Sequence, residues 1–197
     1  MKKGKYLDLL LRSPKTIFTA GDIAMLWSET HSPAFRVRLK YYVGRGDLVR
    51  LRRGIYAKDE KYDRLELATR IFTPAYISFE TVLAREGLIF QYHEPIFAAS
   101  YLAREIEVAD QAYIYRKIKD EVLVNAAGIT RVNEAAVAGA ERAFLDTLYL
   151  NTDYHFDNLR PLDWEKVRAI LPIYKNKRLA RTVSKLLDQE KGKPHGS

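Results

Sequence analysis

The chain has 197 residues, 33 Lys and Arg against 25 Asp and Glu, a formal net charge of +8, and no cysteine. Such a length buries one sizeable core or two small ones, and the lack of thiols excludes a disulfide framework, thiolate metal sites and a cysteine nucleophile, so a reducing, cytoplasmic setting is expected. No run of about 18 apolar residues offers a membrane span, and Leu9–Leu11 behind the basic start is too short for a secretory leader.

Leu7, Leu10 and Leu11 form a helical stripe that Ser13-Pro14 stops, which predicts a first helix over 2–12. Thr19 and Asp22 have the spacing of a capping box, opening a second helix through Trp27 with Ile23, Ala24 and Trp27 inward. Ser32 and Pro33 suit the cap and first position of a third helix ending at Gly44-Arg45-Gly46, with Phe35, Leu39, Tyr42 and Val43 on its core side. Leu48–Leu51 and Gly54–Ala57 then read as two short strands around the turn Arg52-Arg53-Gly54. Three helices followed by a two-stranded hairpin is the order of a winged helix-turn-helix.

After Lys61 the composition turns acidic. Residues 1–61 hold 14 Lys/Arg against 6 Asp/Glu, residues 62–174 hold 12 against 17, and residues 175–197 hold 7 against 2. The expected division is 1–61, a winged helix-turn-helix; 62–190, a mixed α+β domain with a small antiparallel sheet; and 191–197, a disordered tail. Within 62–190, helices are predicted over 65–72, from a Ser78 cap to 85 or 86, over 134–150, 164–171 and 177–187. Alternating segments at 96–99, 105–108, 113–116 and 128–131 predict the antiparallel strands.

A basic excess at one end attracts a polyanion there through counterion release. Of the third helix, Val37, Lys40 and Tyr41 point away from the core line and Arg36 and Arg38 flank them. Arg36, near the N-terminal end, can reach a guanine edge, while Lys40 and Tyr41 suit phosphates. Arg45, Arg50, Arg52 and Arg53 crowd the hairpin, with Arg50 and Arg52 expected on one face opposite Leu51. Such clustering is offset when an anion is bound. The bland alternative is a solvated basic face.

Three further features bear on function. Asp153, His155 and Asp157 in an extended segment resemble a metal arrangement, but a solvated loop before Asn158 and Pro161 is the simpler reading, and the alternative of a metal-dependent nuclease rests on them alone. Tyr76, Tyr92, Tyr101, Tyr113 and Tyr115 offer either a protein-binding face or half-buried core. Glu141 and Asp146, five apart on a helix, do not share a face for acid-base work, and Glu141 and Arg142 suit pairing within the fold. Walker, GxGxxG, GxSxG and HExxH patterns are missing, so no enzyme activity, metal or cofactor is expected.

Three stretches in order carry a family resemblance: Phe18–Ala24 (FTAGDIA) leading to Arg36-Val37-Arg38-Leu39 and Leu51–Tyr56 (LRRGIY); Pro74–Leu83 (PAYISFETVL) ending Glu86-Gly87-Leu88-Ile89; and Ala138–Leu150 (AGAERAFLDTLYL). Together they span most of the chain, which resembles the AbiEi-like antitoxins, the regulator half of type IV toxin-antitoxin and abortive-infection operons. The resemblance implies a winged-helix domain binding inverted repeats in its own promoter, with Arg36, Arg38, Arg52 and Arg53 at matching positions. It also implies a C-terminal domain that counters a nucleotidyltransferase-like toxin encoded alongside. The expectation is a cytoplasmic repressor acting on double-stranded DNA, as a homodimer on paired half-sites. The competing expectation is a protein-interaction module using the acidic, tyrosine-rich half without DNA.

Overall fold

The computed structural model describes residues 4–91 and 93–192. Residues 193–197 of the expected tail and Tyr92 of the tyrosine set lie outside them.

Local chemistry sets the first sixty residues. Helix α1 (Gly4–Leu11) is followed by a strand that the sequence did not reveal, β1 (Ile17–Thr19). Thr19 then opens α2 (Ala20–Leu26) with a capping box: Thr19 Oγ1 accepts from the Asp22 amide at 3.0 Å, and Asp22 Oδ2 accepts from the Thr19 amide at 2.9 Å. The Asp22 carboxyl lies below the usual range, because the Lys15 ammonium and the Thr19 hydroxyl and amide outweigh the upward push of burial. Ser32 Oγ accepts from the Phe35 amide at 3.1 Å and opens α3 (Pro33–Gly44), whose proline occupies a position that needs no amide.

Leu10, Phe18, Ile23, Trp27, Phe35, Leu39, Tyr42 and Leu48 bury together between these helices. Trp27 sits at the centre, its indole N–H donating to the Tyr6 carbonyl at 2.9 Å and its ring edge-on to Phe35 at 5.6 Å. The hairpin β2 (Val49–Arg52) and β3 (Ile55–Ala57) joins β1 in an antiparallel sheet of order β1-β3-β2. The ladder pairs Arg50 with Tyr56 and Arg52 with Ile55, leaving Leu51 as the extra residue of a bulge. Directly paired residues share a face, so the bulge resets the alternation and turns Arg52 away from Arg50. The expectation that the two arginines share a face is corrected accordingly.

The remainder is α+β and its sheet is larger than expected. Asp63 caps α4 (Arg64–Ile71), followed by β4 (Ala75–Ile77), α5 (Glu80–Arg85), β5 (Ile96–Ser100), β6 (Arg104–Val108), β7 (Gln111–Lys117), α6 (Asp120–Leu123), β8 (Ile129–Val132), β9 (Ala135–Ala138), α7 (Ala140–Leu150), α8 (Trp164–Ile170), a 3-10 turn (Leu171–Tyr174) and α9 (Lys177–Lys191). Six strands run in the order β6-β7-β5-β4-β9-β8; β5 is parallel to β7 and β4 to β9, the other pairs being antiparallel. The expected small antiparallel sheet is thus a six-stranded mixed one.

Two further expectations are corrected. The helix read over 134–150 begins only at Ala140, because Ala135–Ala138 pairs with β8. Ser78 does not cap α5: Phe79, with φ of 56°, precedes it, and Ser78 Oγ donates to Asp146 instead. At the C-terminal end, α9 continues to Lys191, so the first residue of the expected tail is helical.

Arg142 and Asp146 are wholly buried and pair one helical turn apart at 3.2 Å. Asp146 accepts from Tyr174 Oη at 2.6 Å, Ser78 Oγ at 2.8 Å and Tyr76 Oη at 2.9 Å, while Arg142 donates to the carbonyls of Val122 at 2.7 Å and Ala127 at 2.8 Å. Each lone pair and N–H thereby finds a partner, the condition under which a buried ion pair is tolerated. Tyr76, Tyr113 and Tyr115 are also core residues, at most 2% exposed, so they form no outer binding face; Tyr101 is 41% exposed.

The expected boundary after residue 61 falls between β3 and α4, yet the apolar core crosses it. Ile17, Ile55 and Ala57 belong to the same buried cluster as Leu67, Tyr115 and Val137, whereas Phe18 and Tyr56 face the helices of the first segment. Glu66 of α4, 1% exposed, accepts from both the amide and the hydroxyl of Thr16 at 2.8 and 2.7 Å.

Candidate nucleic-acid interface

Burial of Phe35, Leu39 and Tyr42 fixes the rotation of α3. One flank then faces the hairpin across a groove of about 330 Å³, whose lining includes Arg36 and Lys40 from the helix, Arg50 and Arg53 from the hairpin, and His31 and Tyr56. Among the described residues, the side chains of Arg36, Lys40 and Arg53 make no hydrogen bond or ion pair, and Arg50 donates only to the Arg52 carbonyl, at 3.4 Å. Four cations without counter-charges therefore line one cleft. Bringing them together costs free energy that an anion between the two walls offsets.

The other flank of α3 is occupied. Arg38 forms an ion pair with Glu29 and stacks over the Tyr6 ring at 4.2 Å, and Tyr6 Oη donates to Glu29 at 2.7 Å. The Tyr6 hydroxyl and the Arg38 guanidinium hold the Glu29 carboxyl below its ordinary range, against the push of burial. Arg45 donates to Tyr41 Oη at 2.9 Å, lies 5.4 Å from the centre of that ring and pairs with Asp47 at 3.0 Å. Val37 stands 70% exposed.

The nine residues singled out from the sequence thus fall into four groups. Arg36, Lys40, Arg50 and Arg53 converge on the groove; Arg38, Tyr41 and Arg45 are engaged within the fold, and Val37 is outward and free. Arg52 shares the Ile55 face, close enough to Tyr115 that its charge opposes the rise which burial imposes on that phenol. Sequence reasoning missed His31 and Tyr56 in the groove. It also missed the Tyr6–Glu29–Arg38 cluster, whose members come from separate segments with no shared periodicity.

No protein-family model matches the chain, and no curated protein matches it either.

The Asp153–Asp157 segment is used structurally. Asp157 Oδ2 accepts from the Phe90 amide at 2.8 Å, its own amide donates to the Leu88 carbonyl, and His155 lies 4.0 Å from its other oxygen with an exposed ring. Among the described residues no three His, Asp or Glu side chains are grouped to hold a metal ion, and no helix is long and apolar enough to cross a membrane. The basic helix α9 contributes nothing to the groove between α3 and the hairpin.

Proposed function

We propose that the first segment works as a winged helix-turn-helix, and that the protein is a cytoplasmic DNA-binding transcriptional repressor rather than an enzyme. In this reading α3 enters the major groove and the β2–β3 hairpin is the wing. The carrying observation is the set of unpaired cations, Arg36 and Lys40 on one wall and Arg50 and Arg53 on the other. A phosphate backbone running between helix and wing supplies the missing counter-charge along its whole length, which a small anion does not.

The resemblance to AbiEi-like antitoxins extends the proposal: the chain represses its own toxin-antitoxin promoter as a homodimer on inverted repeats, and the second half counters an adjacent nucleotidyltransferase-like toxin. The alternative of an interaction module without DNA binding loses the support of Tyr76, Tyr113 and Tyr115, which are interior, and keeps that of the acidic charge and the exposed Tyr101. The test is a mobility shift of the full chain on the duplex upstream of its own gene, paired with a reporter driven by that sequence. Retardation that survives excess scrambled competitor, together with reporter repression, is the expected result; equal affinity for scrambled DNA and an unaffected reporter would refute it.

A further inference from the structure

An α-helix turns about 100° per residue, so the line opposite Phe35, Leu39 and Tyr42 runs through Val37 and Gly44, with Lys40 and Tyr41 beside it. Arg36 and Lys40 lean to the hairpin side, where both line the groove. Arg38 lies on the opposite flank, held by Glu29 and Tyr6, and Tyr41 is occupied by Arg45. The crest of the helix in its N-terminal half is therefore an isopropyl group, 70% exposed, with cations on either side. Such a crest can neither donate nor accept a hydrogen bond. Among the groups that base pairs display in the major groove, the one apolar feature is the thymine methyl.

Resting on the DNA-binding reading, we propose that Val37 reads the C5-methyl group of a thymine, while Arg36 holds a backbone phosphate rather than a guanine edge. Arg36 and Lys40, on the hairpin side, fix the helix against the phosphates and bring the valine to the depth of the base edges. Preference at that base pair is then set by a methyl contact, a modest discriminator compared with a bidentate arginine.

The full-length chain is first used to select its preferred duplex from a randomised library. Each thymine of that duplex is then replaced singly by deoxyuridine, which deletes the methyl and leaves the hydrogen-bonding edge intact. One replacement is expected to weaken the wild-type protein about fourfold, the worth of one buried methyl. The same replacement should cost Val37→Ala nothing and Val37→Ile as much as wild type. Val37→Ala should keep the wild-type salt dependence, and Arg36→Ala should weaken all duplexes alike. The inference is overturned if every deoxyuridine duplex binds wild type normally, if Val37→Ala still senses the replacement, or if Arg36→Ala relaxes preference at a G·C pair. Absence of any duplex binding by the wild type overturns the functional reading, and this inference with it.

Discussion

Removing the two hairpin cations that line the groove, Arg50→Ala together with Arg53→Ala, perturbs the proposed interface with little damage to the fold, because both side chains are exposed and neither holds an ion pair. Each phosphate neutralised on duplex DNA contributes about −0.9 to the slope of log K against log salt, so four groove cations give about −3.6 and the remaining two about −1.8. Between about 50 and 200 mM salt, the wild type should lose roughly 150-fold in affinity and the variant roughly 12-fold. Fluorescence anisotropy of a short labelled duplex of arbitrary sequence, measured across that range, reads both slopes. Arg85→Ala with Arg168→Ala removes the same charge from the other half of the molecule and should leave the slope near the wild-type value, since neither residue lines the groove. A double hairpin variant whose slope stays within about 0.4 of wild type, or a control that falls as far, would refute the assignment of the groove to the phosphate backbone.

Two predictions concern the second half. Asp146→Ala strands the Arg142 guanidinium in the core and deprives three hydroxyls of their acceptor; urea denaturation should show a loss of about 3–5 kcal/mol, and a loss below about 1 kcal/mol would mean that the pair is not the internal anchor described. Gly128→Ala adds a Cβ 2.7 Å from Ile170 Cδ1 and 2.9 Å from Arg142 Cβ at φ of +72°, whereas Gly46→Ala, at φ of +76°, meets open space. The first should cost about 1–3 kcal/mol more than the second, which shares the backbone strain but lacks the collision, and equal transition midpoints would contradict the close approach.

The features legible in the sequence are those fixed by neighbours along the chain. The Thr19–Asp22 box, the Ser32 cap and the buried line Phe35, Leu39 and Tyr42 all follow from spacings of three or four residues, and the structure has each of them. What escaped depends on distant partners. The strands β1 and β4 have three residues each, too few to show alternation, and exist because β3 and β5 hydrogen-bond to them. Ala135–Ala138 reads as the start of a helix because alanine favours one, but pairing with β8 overrides that preference. The bulge at Leu51 separates Arg52 from the other hairpin cations, and only the cross-strand register reveals it. Equally, nothing local announces that Arg38, as basic as Arg36, is committed to Glu29 and Tyr6.

The small sheet lends its second face to the larger core, and that makes the first sixty-one residues a poor transplant. Severed after Lys61, the fragment would present Ile17, Ile55 and Ala57 to water and leave Thr16 without its carboxylate partner. Grafting the first segment onto another protein would require carrying α4 along as its mounting plate.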